Sequence, residues 1–105
     1  MDLRQLRQGL AAFAVLDPTH LSVHFVQVFL LVAENERLTF REIEKTLNLS
    51  NSAVSRIVMA MGDTNRKGKP GFDLLEVVRD PSENRRFLVQ LTSKGQAYKR
   101  QLEGI

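Results

Sequence analysis

Apolar residues first recur at helical spacing: Leu3, Leu6, Leu10, Phe13 and Ala14, with Arg4, Arg7 and Gln8 on other faces. This predicts an amphipathic helix over residues 2–16, weakened by Gly9. Asp17-Pro18 stops it, because proline disfavours helical geometry in the residue before it. The pattern then changes. Val23, Phe25, Val26, Val28, Phe29, Leu30, Leu31 and Val32 are apolar nearly all round. Their β-branched content would suit a strand, but sixteen residues (19–34) without a turn signal are too many for one. A helix apolar on all sides is a buried central one.

Two short helices follow. Thr39 and Glu42 form a T-x-x-E capping box, and Phe40, Ile43 and Leu47 make one stripe of a helix over 40–47. Asn48, which tolerates left-handed geometry, ends it in a tight turn. Ser50 is an N-cap for the next helix, 51–61. There Val54, Ile57, Val58 and Met61 stand at i, i+3, i+4 and i+7 as a core face. The opposite stripe is Ser52, Ser55, Arg56 and Met59, with Asn51 at its start.

Residues 62–71, rich in glycine and lysine, form a loop. Two β-type runs, 74–79 and 86–91, flank Asp80-Pro81-Ser82-Glu83-Asn84-Arg85 and predict a hairpin with a polar, basic tip. Thr92 caps a last helix through about Leu102, with Ala97, Tyr98 and Leu102 turned inward. The architecture is mainly α with a small β-hairpin, an α+β arrangement. Two short helices joined by a tight turn are a helix-turn-helix, and the hairpin after them is a wing.

Composition narrows the picture. At 105 residues and 11.9 kDa the chain is expected to form one domain. With 43% hydrophobic and 26% charged residues it resembles a globular domain rather than a disordered one. It has no cysteine, which excludes disulfides and thiolate sites and fits a reducing compartment. No apolar run is long enough to span a membrane, and MDLRQLRQGL lacks a signal peptide's apolar core. The expected location is the cytoplasm or nucleoid of a prokaryote.

Charge points to a partner. The net +3 is unevenly placed: residues 1–50 hold five basic and six acidic side chains, residues 51–105 ten and six. The short donors and acceptors at the start of the second helix (Ser50, Asn51, Ser52, Ser55), together with Arg56, can read base edges or hold phosphates in a major groove. Arg66, Lys67 and Lys69 in the loop, and Arg85 and Arg86 at the wing, suit phosphates or a narrow minor groove.

The runs LTFREIEKTLNLSNSAVSRIV and VVRDPSENRRFLVQLTSKGQA resemble winged-helix regulators of the multiple-antibiotic-resistance regulator (MarR) type. Their pattern is LT-x-x-ELA-x-x-L-x-LS-x-S-x-VSR, then DP-x-DRR-x-x-x-V-x-LT-x-KG. The matching stretches are 38–57 and 80–95, within a looser likeness over about 20–98. The resemblance implies that Ser52, Ser55 and Arg56 lie on a recognition helix and that Arg85 is the wing arginine that enters a minor groove. Glu83 and Asn84 depart from that pattern, and Arg86 adds a charge. The segment 62–72 is longer than the usual link. The helices after the wing, which in the family build a dimer with the first helix, are reduced to one short helix. Residues 2–16 and 92–104 are the expected dimerisation helices.

The chain therefore reads as a double-stranded-DNA-binding homodimeric transcriptional regulator, with repression the expected outcome. The alternative is a winged-helix protein–protein interaction module or an accessory factor of phage or plasmid type. A docking surface should present apolar anchors, and the outward stripe offers only Met59. With so little chain beyond the wing, a small-molecule effector is not expected. His20 and His24 stand four apart, a spacing that can grip a metal, but no other ligand completes a site. No metal, cofactor or enzymatic activity is expected: there is no phosphate-cradling glycine motif, nucleophile elbow or H-E-x-x-H.

Overall fold

The computed structural model describes residues 1–17, 21–63, 71–83 and 85–105. The elements are α1 (Leu3–Ala14), α2 (Val23–Asn35), β1 (Arg37–Thr39), α3 (Phe40–Leu47), α4 (Asn51–Ala60), β2 (Leu75–Arg79), β3 (Phe87–Leu91) and α5 (Ser93–Glu103). The three strands form one antiparallel sheet in the order β1-β3-β2. Leu38 and Val77 both register against Val89 at its centre.

All five helices and both hairpin strands of the described residues lie where the periodicity predicts them, with ends shifted by up to a few residues. β1 was not expected. Its three residues, Arg37-Leu38-Thr39, become a strand only by pairing with β3, some fifty positions away. So local a run carries no period of its own.

The core gathers Val28, Phe29 and Val32 of α2 with Ile43, Val54, Met61, Leu74 and Val89, all without solvent contact. α2 is central, packing on α3, α4, β1 and β3. Its burial is not all-round, however. Val23 and Leu30 face solvent, so the uniform apolar pattern overstates how much of the helix the fold covers.

α1 begins in a capping box that the apolar pattern did not suggest. The Gln5 amide donates to the Asp2 carboxylate (2.8 Å) and the Asp2 amide to the Gln5 side chain (3.0 Å). The helix ends at Ala14, before Asp17; Pro18 lies outside the described residues. Only Phe13 of α1 is buried, edge-on to Phe29 at 5.4 Å and beside Tyr98 at 6.4 Å. Gln5 Nε2 also donates to the Ile105 carbonyl (3.2 Å), tying α1 to the end of the chain.

Thr92 joins α5 to the sheet. Its hydroxyl donates to the Asp73 carbonyl (2.6 Å) and accepts from the Gly95 amide (3.0 Å). A Cβ on Gly95 would lie 2.2 Å from the Leu74 carbonyl oxygen, so glycine is needed for this close approach. Gly95, Tyr98 and Leu102 form the inner stripe. Ala97 is exposed, contrary to expectation. Two positions past Gly95, it stands roughly 200° round the helix.

Candidate nucleic-acid interface

Three caps build the helix-turn-helix. The Glu42 amide donates to Thr39 Oγ1 (3.1 Å), and Glu42 Oε1 accepts from the Thr39 amide (3.1 Å) and hydroxyl (2.9 Å). Asn48 adopts the left-handed conformation (φ 54°, ψ 50°) and closes α3 onto the Glu44 carbonyl. Ser50 Oγ accepts from the Ala53 amide (3.1 Å) and starts α4. A further bond crosses the turn: Asn51 Nδ2 donates to Glu44 Oε2 (3.0 Å). It ties the start of α4 to the end of α3.

Val54, Ile57 and Val58 anchor α4 in the core. Ser52 and Arg56 are exposed, Ser55 is half-buried and Met59 is 42% exposed. Ser52 Oγ lies 3.2 Å from Ser50 Oγ, so the two hydroxyls form one polar cluster at the start of the helix. Arg56 has no hydrogen bond or ion pair among the described residues.

The wing tip folds around Asp80, a buried carboxylate. Oδ1 accepts from the Ser82 amide (2.9 Å) and hydroxyl (2.8 Å); Oδ2 accepts from Arg86 Nε (2.9 Å) and Nη2 (2.6 Å). The Asp80 amide donates to the Arg86 carbonyl (2.9 Å) and closes the loop at its base. These donors, led by the Ser82 amide and then the Arg86 guanidinium, lower the Asp80 pKa from 3.8 to about 2. The same pairing raises the Arg86 pKa. Arg85, next to it, is exposed with no partner among the described residues.

An open groove of about 730 Å³ brings tip and helices together. Asn51 and Ser55 of α4 line it with Arg85 and Arg86 of the wing and with Arg41 and Lys45 of α3. Glu42 is its one carboxylate among the described residues. Four of the predicted site residues thus share one concave face, and Ser52 and Arg56 stand exposed on the same helix. Arg66, Lys67 and Lys69 lie outside the described residues. Arg41 and Lys45 were missed, although their i, i+4 spacing on the exposed side of α3 could have shown them. Arg79 does not line the groove; its guanidinium carbon lies 5.0 Å from the Phe87 ring centre.

Among the described residues no group of three or more His, Cys, Asp or Glu could hold a metal. His20 lies outside them. Among the described residues no helix is long and apolar enough to cross a membrane.

No family model and no curated protein matches the sequence. Solved structures do match the fold. RV1404 from Mycobacterium tuberculosis superimposes with a TM-score of 0.73 at 17% identity, over 96% of this chain and 63% of that one. A mutant MarR from E. coli complexed with operator DNA gives 0.66 at 19%, over 96% and 67%. The chain has the MarR-type winged-helix fold. The PcaV transcriptional regulator from Streptomyces coelicolor gives 0.64 at 23% identity, over 96% and 68%. The chain spans roughly two thirds of the length of these proteins. On the MarR-type fold the motif at 38–57 covers most of β1, all of α3 and most of α4. The motif at 80–95 covers the wing tip, β3 and the start of α5.

Proposed function

We propose that this protein binds double-stranded DNA sequence-specifically, as a homodimeric transcriptional regulator that represses by excluding polymerase. α4 enters a major groove, with Ser52, Ser55 and Arg56 toward the bases. The wing tip reaches an adjacent minor groove through Arg85. The observation that carries the reading is the groove shared by the start of α4, the basic side of α3 and the two wing arginines. The mutant MarR solved with operator DNA adds support through its fold. Pairing rests on the exposed leucines of α1, and two-fold symmetry then asks for a pseudo-palindromic site with half-sites about one helical turn apart. Docking to a protein is less favoured, since Met59 is the only large apolar residue on the outward stripe of α4.

Selection of bound sequences from a random duplex pool tests this directly. A two-fold-symmetric consensus is expected; no enrichment would overturn specific binding. On the selected site, Arg56→Ala and Arg85→Ala should each cost about 1–3 kcal/mol. Lys67→Ala and Lys69→Ala should weaken all sequences alike and flatten the salt dependence.

A further inference from the structure

Arg85 and Arg86 are neighbours of equal charge in opposite surroundings. Arg86 places two guanidinium nitrogens on one oxygen of Asp80, and its carbonyl accepts the Asp80 amide. Ser82 fills the other carboxylate oxygen twice. A carboxylate as buried as Asp80 is costly unless so satisfied, which holds Arg86 in place. Arg85 lies inside this closed loop of chain, exposed, on the groove that it shares with Asn51 and Ser55.

The geometry points to a division of labour at the wing tip: the Asp80–Arg86 clamp is a positioning device, and Arg85 alone is the reader. Arg86 stays half exposed on the groove, but Asp80 meets its charge at short range, so it adds less attraction for phosphates than an unpaired arginine. Its role is to set the tip before DNA arrives, sparing the ordering cost that a floppy loop would pay on binding. This rests on the DNA-binding reading and deepens it.

The test is salt-dependent titration of the full chain with its selected duplex and with a scrambled one. Arg85→Gln should lower the salt slope by about 1, as loss of one phosphate-region contact does. Asp80→Asn should do the opposite. It frees Arg86 for phosphates, so the slope steepens by about 1 while the preference for the selected duplex falls roughly tenfold, the size of one lost groove contact. The pair Asp80→Asn with Arg86→Gln, which keeps the net charge, should leave the slope at the parent value. Thermal melts of each variant confirm folding. If Asp80→Asn does not fold, Arg86→Lys carries the test: it keeps the charge but loses the two-nitrogen grip, so preference should fall with the slope unchanged. A parent slope and preference in Asp80→Asn, or the same loss of slope in the double variant as in Arg85→Gln, would overturn the division of labour. A parent that binds neither duplex would instead overturn the DNA-binding reading and this one with it.

Discussion

The α4 face and the α1 face both leave a helix stripe in solvent, and the stripes differ in kind. On α4 the exposed positions are Asn51, Ser52, Arg56 and Met59, and three caps and a cross-turn bond hold the backbone beneath them. On α1 the exposed positions include Leu3 (84%), Leu6 (45%) and Leu10 (46%), with Leu30 of α2 beside them. Leu6, Leu10 and Leu30 line a cavity of about 330 Å³ with Phe13, Val26 and Leu102. A polar stripe is at home in water and its shape can be used for reading. An apolar one of this extent is a surface with a cover to find. On the proposed function, the polar stripe serves recognition and the apolar one pairing, by residue type on two helices.

Within α1 the contrast can be broken at its most buried point. Phe13 is 2% exposed and packs on Phe29 and Tyr98. Phe13→Ala should cost about 3–5 kcal/mol in the folding of each subunit, read by chemical denaturation. A cost below about 1 kcal/mol would mean that α1 is not anchored to the domain.

The exposed leucines should behave differently. Leu6→Ala with Leu10→Ala removes side chains that are already half in water, so subunit folding suffers less than with Phe13→Ala. Pairing should suffer more: burying the exposed half of a leucine contributes about 1 kcal/mol, and a symmetric dimer buries each twice. Loss of about 4 kcal/mol is expected, seen by sedimentation as a shift of the proposed dimer toward monomer. Equal masses for parent and variant across the concentration series would remove α1 from the interface.

Much of this contrast was legible beforehand. The caps at Thr39, Ser50 and Thr92 and the left-handed Asn48 are local chemistry, readable from a few neighbours, and the structure has all four. The exposed and buried stripes of α4 follow from spacing alone. What escaped depends on distant partners. β1 exists because β3 lies beside it, and Ala97 turned outward because Gly95 sets the phase of α5 against Leu74. At the site, sequence shows the charges of Arg86 and Asp80 but not that folding pairs them. Nor does it show that the Asn51 side chain donates to Glu44 across the turn. Spacing reveals which face a residue occupies, and folding decides what else is there.

The smallest effect in the comparison is electrostatic and belongs to the wing side alone. Asp80 titrates at about 2 when folded and at 3.8 when unfolded. A carboxyl lowered on folding stabilises the native state above its unfolded pKa, and that contribution fades as pH falls through the folded one. The window is therefore pH 4 down to 2. Arg86, its pKa raised by the same pair, stays charged throughout. The stability gap between the parent and Asp80→Asn should be constant above about pH 5 and narrow through that window, measured by denaturant titration at each pH. Leu6→Ala with Leu10→Ala changes no titrating group, so its gap in subunit stability should hold level over the same range. If the Asp80→Asn gap also holds level, the clamp contributes nothing to folding, and its whole effect must be sought in where it puts Arg85.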